Sequence, residues 1–370
     1  LINVLGLDMQ SPISPGVILL TDREIPKLVP EQLVKFDAAN IHVEPVMPFE
    51  PAAAAVQIQA IEGQQILAGD FGGDKGIVRL FKIIDGRPIV EEGYASDTQG
   101  DNGTGYLATM EQAAAYAVAR GIPFGISWGG PMIGTKPQFH PKATSFLKEL
   151  DEQHGGDIAA ISPSIICIND GPAGAISGGF EAFRQYQSSN LLFVINGGGV
   201  NTSVIKDGQL YSNESGHVEA LAALNSYHQT TACGVFGATY TCVERVGANK
   251  AGIEAQWQDK TGEYMRARDI EDQYKVGDTF AGDLYEHSAW VVAHLILGSA
   301  YGQGLDLTDP STAIVAHGGG FKFPHYGERV AQILGAHLGS TPRLLMTKDY
   351  VLDGSNACLD GAAIAAAYQG

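Results

Sequence analysis

An acid set beside a pair of glycines at the end of an apolar run is the first arrangement in this chain that is suited to chemistry. In Leu67-Ala-Gly-Asp-Phe-Gly-Gly-Asp-Lys-Gly-Ile-Val-Arg-Leu-Phe81, one apolar stretch delivers Asp70 into a glycine turn and a second leads away from it. Backbone N–H groups at Gly72 and Gly73 suit an anion-binding nest, Asp70 suits a hydrated Mg²⁺, and Lys75 offsets the charge of a phosphate. The plain alternative is an ordinary glycine-bearing hairpin. A second acid, Asp170, follows Asn169 directly after the apolar run Ile165 to Ile168. A carboxylate fixed there is a candidate general base, since such a group must be held within hydrogen-bond reach of the proton it takes. The plain alternative is an Asx turn. Glu214, His217 and Glu244 supply carboxylates and an imidazole, the groups that pair with ligand hydroxyls, which both donate and accept. For Glu214 and His217 the plain reading is a helix N-terminal cap with an adjacent surface histidine.

The elements that must position these groups show in the glycine pattern. Glycine accounts for 47 of 370 residues, above the usual share of about 7%. Four times an apolar run ends in glycines: Ile66 to Ala68 before Gly69, Gly72 and Gly73; Phe124 to Ile126 before Gly129 and Gly130; Leu191 to Ile195 before Gly197, Gly198 and Gly199; and Ala313 to Ala316 before Gly318, Gly319 and Gly320. Each reads as a buried strand ending where the backbone turns tightly or approaches something closely. Helical stretches are expected over Met110–Arg120, Gly179–Gln187, Leu284–Tyr301 and Glu328–Leu338. Strands alternating with helices give an α/β class, in which ligands bind at strand ends.

A chain of 370 residues is long enough for two cores. Residues 1–65, with prolines at 12, 15, 26, 30, 45, 48 and 51, read as an N-terminal extension packed on the first domain. The formal charge is −18, from 23 basic and 41 acidic side chains. That field repels nucleic acid and anionic membranes, and any phosphate site must rest on local amides and a metal ion. No apolar run reaches the roughly 18 residues that span a bilayer, and Leu1 to Leu20 lacks the basic flank of a secretory signal. Four scattered cysteines fit a reducing compartment, so a cytoplasmic location is expected.

In order, these motifs resemble those of bacterial glucokinases and the ROK family of sugar kinases and sugar-responsive repressors. The first hairpin is similar to the family's Asp-x-Gly-Gly-Thr-(Lys or Asn). Phe124-Gly-Ile-Ser-Trp-Gly-Gly-Pro131 looks like its apolar strand with a Pro/Gly turn, and Ile168-Asn169-Asp170 like its Asn-Asp pair. Asn196-Gly-Gly-Gly-Val200 with Asp207-Gly208 looks like its second phosphate loop. Asn213-Glu-Ser-Gly-His217 resembles Gly-Glu-x-Gly-His, and Cys242-Val-Glu-Arg245 the Cys-x-Glu segment. Ile314 to Gly320 resembles the strand and glycines under adenosine, and Asp360-Gly-Ala-Ala363 the closing helix.

The resemblance implies two ribonuclease H-like domains of the actin-like ATPase (hexokinase) fold with a ligand cleft between them. Residues 66–168 would form the small domain, with the helix 356–370 packed on it, and 169–355 the large one. It implies a glucokinase-like enzyme moving the γ-phosphoryl of Mg-ATP to a hexose or N-acetylhexosamine, with Asp170 as base. Asn169, Asp170, Glu214, His217 and Glu244 would contact the sugar. Asp70, Gly72, Gly73, Asp74, Lys75, Gly197, Gly198, Gly199, Gly318 and Gly319 would hold ATP, with Asp70 on Mg²⁺ through water. A homodimer is implied as well. Many relatives bind structural Zn²⁺ through one His and three Cys. Here His217, Cys233 and Cys242 lack the fourth ligand, so the site reads as degenerate and His217 is left for sugar. Asp74 stands where the family has Thr, which places a carboxylate beside phosphate. Asn201, Thr202 and Ser203 stand where glycine is usual and offer side-chain donors to phosphate. The competing readings are a non-catalytic sugar-binding regulator of the same family, which usually carries an N-terminal DNA-binding domain not expected here, and an actin-like ATPase with a protein partner.

Overall fold

The computed structural model describes residues 20–24, 43–72, 75–138, 140, 142–213, 215–218 and 241–369. Its strands are β1 (Val43–Pro48), β2 (Gln65–Phe71), β3 (Gly76–Ile84), β4 (Arg87–Thr98), β5 (Phe124–Trp128), β6 (Met132–Ile133), β7 (Lys136–Pro137), β8 (Ile165–Asn169), β9 (Asn190–Asn196), β10 (Val200–Lys206), β11 (Gln209–Asn213), β12 (Thr312–His317) and β13 (Leu344–Met346). The chain divides into two compact units. One holds Pro45–Leu191, Ile205–Ser212 and Tyr350–Gly370; the other holds Leu192–Val204 and Asn213–Asp349 with the described residues ahead of Pro45.

The first unit is built on a five-stranded sheet of order β4-β3-β2-β5-β8. β2, β3 and β4 run antiparallel, with a bulge between Arg79 and Leu80, and β5 and β8 continue parallel to β2. The apolar runs of β2 and β5 are explained by burial on both faces, as expected of central strands covered by helices. On one face, Leu67, Phe71, Phe124, Ile126 and Trp128 pack with Tyr106 and Met110 of the helix Tyr106–Arg120 and with Phe146 and Leu150 of the helix Thr144–His154.

Alternation along the strands turns Gly125, Ser127 and Asp70 to the other face, which the helix Ala357–Gln369 covers. Small residues make that packing close. A Cβ on Gly125 would lie 2.0 Å from the Ala362 carbonyl oxygen, and one on Gly361 would lie 1.7 Å from that of Ala173. The helix containing Ala173 runs from Asp170 to Tyr186, whereas sequence pattern places its start at Gly179. Asn169 caps it by accepting from the Gly171 amide at 3.1 Å, and Pro172 falls in the first turn, where a missing N–H is tolerated.

A six-stranded sheet has the order β1-β11-β10-β9-β12-β13, and its part β11-β10-β9-β12-β13 repeats the connectivity of the first sheet. A strand, its two successors on one side and two later strands on the other recur in both. The connections after β2 and after β9 therefore each join a central strand to its first neighbour. The core gathers Leu192, Val194, Val204, Ile314 and Ala316 from the sheet with Leu284, Val292 and Leu295 from the helix Thr279–Gly302. Asp278 caps that helix by accepting from the Ala281 amide at 2.9 Å. Its apolar residues surround it because it is buried on all sides. Among the described residues no helix is long and apolar enough to cross a membrane.

Candidate functional site

In the first unit, strand register gathers the candidate groups at one edge. Asp70 pairs with Ser127, and Phe71 with Trp128, which in turn pairs with Asn169. The C-terminal ends of three parallel strands thus lie level, the usual ligand edge of an α/β sheet. Asp70 accepts from Asn356 Nδ2 at 3.0 Å. Burial pushes its carboxyl above the ordinary range, while the Asn356 hydrogen bond and the charge of Lys75 act the other way. The turn after it is held by the Tyr106 hydroxyl, which donates to the Gly72 carbonyl at 2.7 Å. The Gly72 amide donates to the Lys75 carbonyl at 3.0 Å, so that N–H closes the hairpin and is already engaged. A Cβ at Gly72 would meet nothing within 4 Å.

Asp170 opens its helix beside this turn. A Cβ on Gly129 would lie 3.2 Å from the Gly72 Cα and 3.5 Å from Asp170 Oδ2, while the Gly129 amide donates to Phe71 O at 2.8 Å. Glycine at 129 thereby lets the turn after Asp70 and the Asp170 carboxylate approach each other. Asn169 donates through Nδ2 to the carbonyls of Trp128 (3.3 Å) and Gly130 (2.6 Å) and accepts from Gly171. Both of its amide protons are engaged, so in this arrangement it fixes the β5 turn and the start of the Asp170 helix.

One carboxylate beside an open turn suits a Mg²⁺ ion that keeps most of its waters and takes phosphate oxygens. Among the described residues no three His, Cys, Asp or Glu side chains cluster as a metal cage.

In the second unit the loop Gly197–Gly199 leaves β9 with open space around Gly197 and Gly198. Asn249 donates its amide to Gly197 O at 2.9 Å and so seats the following helical turn against the loop. Glu244 lies beneath: a Cβ on Gly199 would stand 2.7 Å from its Oε2, and one on Gly216 would collide with Val200 O at 1.9 Å. Burial raises the Glu244 carboxyl, opposed by Arg245 and by the Val200 amide. His217 closes the short turn Ser215–His217. Burial, helped by Arg245, lowers its pKa and favours the neutral ring. Gly318 has φ +107°, and any Cβ there would fall 2.2 Å from the Asn196 carbonyl oxygen. Gly319 and Gly320 approach the side chains of Asn249 and Asn196.

The reading of Thr202 and Ser203 as phosphate donors is corrected. β10 begins at Val200, so these side chains belong to a strand and not to the loop. Thr202 and Ser203 are each 1% exposed. Thr202 Oγ1 bonds Ser215 Oγ at 2.8 Å and Ser299 Oγ at 2.9 Å, and Asn201 Oδ1 accepts from the Ser215 amide and hydroxyl. Gly73, Asp74, Glu214 and Cys233 lie outside the described residues, and with Cys233 goes the degenerate zinc set. Sequence reasoning missed Tyr106, Asn249, Tyr326 and Asn356. Of these only Asn356 carries a local signal, an Asn immediately before an alanine-rich helix.

The repeated sheet order with glycine turns at matching places is that of the actin-like ATPase fold. The chain matches the family model of the ROK family over residues 157–367 and belongs to that family. No curated protein sequence matches it. Among solved structures it is similar to a ROK hexokinase from Thermus thermophilus (19% identity, 83% of this chain and 99% of that one, TM-score 0.58). A ROK family glucokinase from Streptomyces griseus, solved with glucose and AMPPNP, matches at 17% identity over 83% of this chain and all of that one (TM-score 0.57). A ROK family transcriptional regulator, a homologue of the E. coli MLC protein, matches at 15% over 91% and 87% (TM-score 0.55).

Proposed function

We propose that the chain is an ATP-dependent sugar kinase acting on a hexose or N-acetylhexosamine, with Asp170 as the general base. The observation that carries this reading is the convergence at Gly129, where Asp170 Oδ2 and the turn after Asp70 come within van der Waals range of one glycine position. An acid beside a phosphate-type hairpin is what transfer to an alcohol requires. Asp170 takes the proton of the sugar hydroxyl as its oxygen bonds to the γ-phosphorus, and the bond to the ADP oxygen breaks. Glu244, with Glu214, accepts from ring hydroxyls, and the neutral His217 both donates and accepts. Asn169 orients Asp170, and the second lone pair of its Oδ1 accepts from a sugar hydroxyl. Gly197, Gly198 and Gly199 leave room for phosphate, with Gly318 and Gly319 under the nucleoside. Magnesium, when bound near Asp70, neutralises phosphate charge. We further propose a cytoplasmic location, where ATP is available, and by family likeness a homodimer.

Similarity to a transcriptional regulator, together with Asp74 where the family has Thr, favours one other reading, a sugar-binding regulator without catalysis. ADP release from Mg·ATP across a panel of hexoses, hexosamines and N-acetylhexosamines separates the two. The kinase shows sugar-dependent turnover that falls about 10²–10⁴-fold in Asp170→Asn. A folded protein that binds sugar and releases no ADP is the regulator.

A further inference from the structure

We propose that Asn356 is a positioning residue that sets the rotation of the Asp70 carboxylate for magnesium; the inference rests on the reading of Asp70 as the magnesium-side acid. Asn356 stands at the start of the helix Ala357–Gln369 and spans two structures at once. Its Oδ1 accepts from the Leu359 amide at 2.9 Å, and its carbonyl accepts from the Asp360 amide at 2.9 Å. Its Nδ2 donates to Asp70 Oδ2 at 3.0 Å, across 286 residues of chain.

The two side-chain bonds fix each other. An amide N–H such as that of Leu359 needs an acceptor, so Oδ1 must face the helix, and only Nδ2 remains to face Asp70. Turning the amide over would set a donor against the Leu359 donor and an oxygen against a carboxylate. The helix that carries Asn356 is itself locked, since Gly361 lies against the Ala173 carbonyl and Gly125 against that of Ala362. One oxygen of Asp70 is thereby tied to a rigid element, and the carboxylate cannot spin about its terminal bond without losing a charge-assisted hydrogen bond. A cavity of about 320 Å³, lined by Lys75, Arg79, Asp97, Gln99, Ser355 and Asn356, opens beside Asn356. It gives Asn356 a face toward the space that Lys75 also borders. Groups that orient a metal-side carboxylate in this way typically contribute about 10–100-fold to metal affinity.

The full chain and its Asn356→Ser variant are compared by calorimetric titration with Mg·ADP and, separately, with ADP in EDTA. Serine caps a helix nearly as well as asparagine but is too short to reach Asp70. The expected result is an unfolding temperature within about 2 °C of the parent and a Kd for Mg·ADP raised about tenfold, with ADP binding in EDTA unchanged. Asn356→Ala should show the same loss of Mg·ADP affinity together with a lowered unfolding temperature. Unchanged Mg·ADP binding in Asn356→Ser, an equal loss with and without magnesium, or a parent that binds ADP no better with magnesium each overturns the inference. A parent that binds Mg·ADP yet releases no ADP with any sugar defeats the kinase reading alone.

Discussion

Asn196 and Tyr326 meet through a hydrogen bond of 2.9 Å from Nδ2 to the phenol oxygen, across 130 residues of chain. The same hydroxyl pairs with Ser288 Oγ at 2.7 Å, and both Asn196 Nδ2 and Ser288 Oγ donate to the Gly247 carbonyl. Asn196 is fully buried at the end of β9, so this network holds the point from which the Gly197–Gly199 loop departs. Tyr326→Phe removes the shared hydroxyl and should cost about 1–3 kcal/mol in urea unfolding. A loss below about 0.5 kcal/mol, no more than an ordinary surface change, would show that the network does not hold the loop.

Neighbouring glycines of that loop should respond differently. Gly198→Ala adds a methyl group to open space, so folding stability stays within about 0.5 kcal/mol of the parent while the KM for ATP rises if phosphate approaches there. Gly199→Ala sets its methyl 2.7 Å from Glu244 Oε2 and must displace that carboxylate. Steady-state kinetics should then show the KM for sugar raised about tenfold, the equivalent of about 1.4 kcal/mol. An unchanged sugar KM in Gly199→Ala removes Glu244 from the sugar site.

Asp360 gives the first unit a pH dependence. It lines a small cavity with Arg87, Ser177, Glu181 and Tyr350. Desolvation pushes its carboxyl up to about 7, against the pull of its Ser355 hydrogen bond. The folded protein therefore keeps a proton that the unfolded chain, with its ordinary value of 3.8, has released. This contribution is full below 3.8 and is lost as pH rises to about 7. Asp360→Asn cannot ionise, so its stability relative to the parent should be greater at pH 8 than at pH 5, read from urea midpoints at the two values. Parallel pH profiles for the two proteins would rule the effect out.

Close packing of the helix Ala357–Gln369 predicts intolerance at two glycines. A methyl group at Gly125 or Gly361 meets a backbone carbonyl at 2.0 or 1.7 Å, and backbone cannot yield as a flexible side chain does. Each alanine variant should lose about 3 kcal/mol or more, visible as a lowered thermal midpoint. Gly72→Ala, with nothing nearby, serves as the control and should melt with the parent.

The strand that ends in glycines is the feature a reader of the sequence can trust, because burial writes it locally. Ile66–Ala68, Phe124–Ile126, Leu191–Ile195 and Ala313–Ala316 fall in β2, β5, β9 and β12. The Asn169-Asp170 pair likewise marks the point where β8 gives way to a helix. Partners set by the fold at long range leave no local trace. Tyr326 reads as a tyrosine near a helix start and Asn356 as a cap, and nothing adjacent to either names Asn196 or Asp70. The errors have the same origin. Thr202 and Ser203 look like loop donors next to three glycines, yet β10 starts a residue before Asn201 and turns both inward. The early start at Asp170 was hidden by Gly171 and Pro172, which suppress helical pattern but are harmless in a first turn.

The first unit draws its strands from the early part of the chain and its covering helix, Ala357–Gln369, from far later. On the ribosome, at about 5–20 residues per second, roughly 8 to 33 seconds separate Leu191 from that helix as they emerge. Throughout this interval the groove over Gly125 and Ala173 stays uncovered and apolar, a surface a nascent-chain chaperone can grip. The second unit's main segments arrive in full before the first can close, so the later-encoded half of this protein is the one able to finish folding first.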